Sequence, residues 1–91
     1  MPKLPGRELV DAGIRDLEAG RETRESLLVS MARPRLEASG IDVPASDLAL
    51  PSHRLYALLA ADDPRTAHSR YNALVRRMVS FARAAEHARA R

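Results

Sequence analysis

The sequence predicts an all-α protein of about four helices in a small bundle, and three observations carry that prediction. Apolar residues recur at helical spacing in several segments, and glycine and proline stand where such segments would start and stop. No stretch alternates apolar and polar residues over a strand's length. With 91 residues and no internal repeat or low-complexity tract, the chain reads as one domain, 1–91.

The first helix is expected between Gly6 and Ala19, where Leu9, Val10, Ile14 and Leu17 share one face and Glu8 sits in the first turn, favoured by the helix dipole. Gly20 supplies the stop. Thr23 is the N-cap expected for a second, antiparallel helix carrying Leu27, Leu28 and Met31. Pro34 then either kinks this helix or stops it near Arg33 and restarts it, because its ring clashes with the carbonyl four residues back, that of Ser30. Gly40 fits a C′ position.

Residues 41–51 hold Pro44, Ser46, Asp47 and Pro51 among Val43, Leu48 and Leu50, and read as an extended connector packed on the surface. Ser52 is expected to cap a third helix, His53 to about Ala61, with Leu55, Leu58 and Leu59 inward and Tyr56 beside them. Asp62-Asp63-Pro64 reads as an N-cap followed by proline at the first helical position. A long amphipathic C-terminal helix, about 64–88, is expected to start there.

On that helix Ala67, Tyr71, Leu74, Val75, Met78, Phe81, Ala82 and Ala85 fall within about a third of the circumference, with Val79 off the stripe and widening it. The third helix is too short to cover the stripe. Its far part must therefore pack on the first two helices or on another subunit, since an exposed apolar patch of that size is unusual in a monomer. The expected oligomer interface, in a homodimer, comprises Leu74, Val75, Met78, Phe81, Ala82 and Ala85.

Composition points the same way. The hydrophobic 45% includes 16 alanines, and a domain this small buries only about 60–65% of its unfolded surface, so association is a natural source of added stability. With no cysteine the chain has no disulfide, thiol nucleophile or Cys-based metal site. No uncharged segment approaches the roughly 18 residues of a membrane span, and the N-terminus lacks a signal peptide's apolar run. A cytoplasmic location and no membrane partner are expected.

The net charge of +3 divides unevenly: residues 1–63 carry 8 basic and 11 acidic side chains, whereas residues 64–91 carry 7 basic and one acidic. Such asymmetry suits an acidic or nucleic-acid partner, or docking of the acidic part on the basic helix. Arg65, Arg76 and Arg83 align within about 20° on the helical wheel, with Arg70 and Arg77 about 120–140° away. Guanidinium groups on this face would meet carboxylates or phosphates. An acidic protein partner is therefore admitted, and nucleic acid is admitted but not favoured.

Catalytic chemistry finds no foothold. The seven serines lie outside the nucleophile motifs, and four glycines form no phosphate loop. His53, His68, Asp62 and Asp63 can be imagined around a metal, but no two are locally organised as ligands, so neither metal nor cofactor is expected. His68, Tyr71 and Asn72 read as a polar network in the middle of the long helix. The expected function is a small non-catalytic interaction or adaptor module, self-associating through its long helix. The alternative is nucleic-acid binding by the arginine face.

Overall fold

The computed structural model describes residues 4–45 and 50–89, so Ser46, Asp47, Leu48 and Ala49 of the expected connector lie outside the described residues. The fold is all-α. Five helices follow one another: α1 (Arg7–Glu18), α2 (Arg24–Met31), α3 (Arg33–Ala38), α4 (Pro51–Asp62) and α5 (Ala67–Arg89). No helix among them is long and apolar enough to cross a membrane.

Local chemistry places most of the boundaries. Gly6, at φ 91°, is the α1 N-cap. Gly20 ends the helix in a left-handed conformation (φ 71°), its N–H donating to the Leu17 carbonyl while that of Arg21 donates to Asp16, the paired bonds of a Schellman motif. The same device recurs at Gly40 (φ 89°), with Ile41 N–H to the Leu36 carbonyl. Thr23 caps α2 as expected, in a reciprocal box: its Oγ1 accepts from Ser26 N–H at 3.1 Å, and Ser26 Oγ accepts from Thr23 N–H at 2.7 Å. Of the two outcomes offered for Pro34, the chain takes the break: α2 ends at Met31, Ala32 turns, and α3 begins with Pro34 in its first turn.

Three expectations need correction. Ser52 does not cap α4: Pro51 already occupies the first turn, where its missing N–H costs nothing, and Leu50 is the N-cap at φ 49°. The long helix starts at Ala67 rather than Pro64, because Asp63 is the C-cap of α4 and the chain needs Asp63–Thr66 to reverse direction. Asp63 still caps, but it caps the turn, accepting Arg65 N–H on Oδ1 at 3.1 Å and Thr66 N–H on its carbonyl at 3.2 Å. Leu58 points outward, 37% exposed, since α4 meets the bundle on its Leu55 and Leu59 side.

α2 is the centre of the bundle, in contact with all four other helices, and Ser26, Leu27, Leu28 and Val29 are buried in succession. A helix covered all round can carry such a run. α1 crosses it at Gly13, α4 adds Leu55 and Leu59, and α5 closes the core with Ala67, Leu74, Met78 and Phe81. Ser39, at the end of α3, holds the α5 backbone: its Oγ lies 3.1 Å from the Ala82 carbonyl and 3.0 Å from that of Arg35.

The question of what covers the long helix is answered within the chain. Leu74, Met78, Phe81 and Ala82, placed by the sequence in an oligomer interface, are at most 9% exposed in the chain's own core. Of the two covers open to them, neighbouring helices or another subunit, the chain supplies the first. Phe81 sits against the start of α1, where a Cβ on Gly6 would come 3.3 Å from Phe81 Cβ. Val75 and Ala85 remain half-buried.

Candidate interaction groove

α5 presents a row that the core does not use fully. Tyr71, Val75 and Val79 follow at four-residue intervals and are each half-buried, so they lie within about 80° of one another around the helix. α4 flanks the N-terminal end of the row, and the junction of α2 and α3 flanks the C-terminal end.

The concavity between α4 and α5, about 490 Å³, is lined by Ser52, His53, Tyr56, His68, Tyr71 and Asn72. Tyr56 lies edge-on to His68 with ring centroids 6.4 Å apart and tilted at 59° to Tyr71 at 5.7 Å. Asn72 Nδ2 stands 3.2 Å from His68 Nε2 and donates to it when that nitrogen carries no proton. Of the expected polar network only His68 and Asn72 meet, the Tyr71 hydroxyl turning to Met31, but the structure brings His68, Tyr71 and Asn72 to one concavity with Tyr56 and His53 from α4. Their one-turn and two-turn spacings on α4 and α5 contained that signal.

A second concavity, about 260 Å³, continues along the helix between α5 and the α2–α3 junction, lined by Met31, Ala32, Pro34, Arg35, Val75, Met78 and Val79. The two meet at one contact, where Tyr71 Oη donates to Met31 Sδ at 3.5 Å. The two concavities share no lining residue and lie end to end along α5 as a groove interrupted at that contact, from His68 to Val79, about 16 Å along the axis at 1.5 Å per residue. Val79 was the visible sign of it, an apolar residue off the main stripe.

The arginines divide by whether the chain already neutralises them. Arg70 Nη1 lies 2.7 Å from Asp62, Arg65 pairs with Asp63 in the turn, and Arg77 reaches Glu8 of α1 at 3.0 Å. Arg76 and Arg83 are exposed and make no ion pair among the described residues; Arg35 on α3 is in the same state. The acidic part does meet the basic helix, through Glu8 to Arg77 and, beside the α4–α5 turn, through Asp62 to Arg70; Glu22 pairs instead with Arg54 of α4. A further cleft of about 450 Å³ lies between the segment before α1 and α5; Glu8 and Arg77 pair in its wall, and the unpaired Arg76 lines it as well.

Asp62 and Asp63 are engaged by Arg70 and by the turn, away from both histidines' groove. Among the described residues no group of three or more His, Asp or Glu side chains is disposed to hold a metal ion. No family model matches the chain, and no curated protein or solved structure matches it.

Proposed function

We propose that this chain is a non-catalytic interaction module that seats a partner in the groove along α5. The observation that carries the reading is the half-buried row Tyr71, Val75 and Val79, continued by Met31 of α2, on a helix whose Leu74, Met78, Phe81 and Ala82 are buried in the core. One feature supports it: Tyr56, an exposed large apolar side chain at 39%, lines the groove from α4 beside Tyr71. Self-association through the long helix is one use of this face, with Val75 and Val79 in place of the buried residues first assigned to it. A cytoplasmic location accompanies this reading, as the chain has no cysteine for an oxidising compartment to pair.

The test compares the protein with Val79→Asp, both checked for helical content. Sedimentation and nuclease-treated affinity purification should give a dimer or a stoichiometric protein partner for the first and neither for the second. A monomer that retains nothing, or a partner indifferent to Val79→Asp, overturns the reading. Nucleic-acid binding through the arginine face is favoured only by the exposed Arg76 and Arg83. Heparin retention beyond that expected for +3, lost in Arg76→Glu/Arg83→Glu, would support it.

A further inference from the structure

We infer that the occupant of the groove is an acidic amphipathic helix of another protein; this rests on the groove being the binding surface. Three features of the groove point to this occupant.

The first is its floor. Met31, Val75 and Val79 are apolar and half-buried, and their surroundings continue to Tyr71, so the floor is about 12 Å long at 1.5 Å per residue. A partner helix of about three turns spans that length and offers apolar anchors at i, i+3 or i+4, and i+7. A phosphodiester backbone has no apolar face with which to cover such a floor. That favours a peptide over a nucleic acid.

The second is the charge of its rims. At 100° per residue Arg76 and Arg83 project within about 60° of Val79 on one side of the row. Arg35 lines the opposite wall from α3. All three are exposed and make no ion pair among the described residues, whereas Arg65, Arg70 and Arg77 are each paired within the chain. Arg35, Arg76 and Arg83 are thus the unpaired guanidiniums on the two helices that flank the groove, Arg76 standing between it and the cleft at Glu8; Arg15 of α1, away from the groove, is exposed and makes no ion pair among the described residues either. A helix lying between the two walls would bring one acidic flank to Arg76 and Arg83 and the other to Arg35, forming charge-assisted hydrogen bonds whose register the arginine spacing sets.

The third is the distribution of negative charge around it. Glu37, on α3, is engaged by Arg33 at 3.4 Å, and the one acidic residue of α5, Glu86, lies two turns beyond Val79. The middle of the groove therefore repels no acidic helix.

The experiment titrates the full-length protein with a fluorescently labelled designed helix of about 15 residues, Leu at i, i+3, i+7 and Glu along both flanks, and with the same helix carrying Lys for Glu. The acidic helix should bind with salt-sensitive affinity and shift the amide resonances of Met31, Val75 and Val79, and the lysine helix should bind at least about tenfold more weakly. Arg76→Glu/Arg83→Glu should weaken the acidic helix about tenfold and reverse the preference, whereas Arg70→Glu on the far side of α5 should leave it unchanged. If neither helix binds, the inference is overturned. Equal binding of both helices, or resonance shifts confined to residues outside the groove, also overturns it. In the equal-binding case shifts at Val75 and Val79 would preserve the groove as a binding surface, and a partner purified on Val79 but rich in basic residues, or a polynucleotide competing for the same resonances, would identify the occupant as another class.

Discussion

Gly13 of α1 and Val29 of α2 leave no room between them for a methyl group: a Cβ on Gly13 would overlap Val29 Cγ2 and come 2.5 Å from the Glu25 carbonyl oxygen. The two helices cross here backbone to side chain. Alanine in a helix interior is favoured over glycine by about 1 kcal/mol, but the clash involves backbone and a fully buried β-branched side chain that cannot swing away. Gly13→Ala should therefore destabilise the protein by about 1–3 kcal/mol, read as a lower urea midpoint, and Val29→Ala added to it should recover part of the loss.

In the last turn of α1, Asp16 is a carboxylate whose pKa its partners shift. Thr23 Oγ1 donates to Asp16 Oδ2 at 2.5 Å and Arg21 binds Oδ1 at 2.8 Å, and these two partners hold the Asp16 carboxyl below the ordinary carboxylate range. A depressed folded-state value contributes stability above that range and loses it as pH falls through the folded-state pKa. The melting temperature of Asp16→Asn should thus lie below that of the wild type at neutral pH, and the two should converge on acidification. Thr23→Ala, which removes both the cap and the donor to Asp16, should cost about 1 kcal/mol at acidic pH and more at neutral pH, where the Asp16 carboxylate loses its partner.

Ser39 is a buried hydroxyl whose proton is shared between two carbonyls, one on its own helix and one on α5. Ser39→Ala should cost about 1 kcal/mol. Amide exchange should quicken around Ala82 and Glu86 rather than across α1, because the lost bond fastens the distal half of α5.

Phe81 is 1% exposed among side chains of its own chain. Phe81→Ala should lower the unfolding free energy by about 3–5 kcal/mol, and by the same amount over a roughly fiftyfold range of protein concentration, since the cavity opens inside one protomer. A loss that shrinks with concentration would return Phe81 to a subunit interface.

How far the sequence reached depended on whether the deciding interaction was local. The Thr23 cap, the glycine stops at 20 and 40 and the break at Pro34 are set within a few residues, and each was legible. So was the grouping of His68, Tyr71 and Asn72 on one helix. The start of α5 was not, because Asp63 can cap either a helix or a turn, and the choice belongs to α4, which ends on the same residue. Leu58 looked inward because only the direction from which α2 approaches α4 distinguishes it from Leu59. The cover for Phe81 comes from Gly6, 75 positions earlier, a distance no periodicity spans. For the groove, Val79 was visible as an extra apolar residue, but Met31 and Arg35 reach it only through the turn at Ala32.

That meeting of Gly6 with Phe81, reinforced by Glu8 with Arg77, has a consequence for biosynthesis. α1 and α2 leave the ribosome before α5, so they can form their hairpin early while Leu27 and Leu28, and the start of α1 at Gly6, still lack the cover that α5 brings. Nascent chains should therefore stay protease-sensitive and chaperone-accessible until Phe81 emerges, and protection should then arise in a single step.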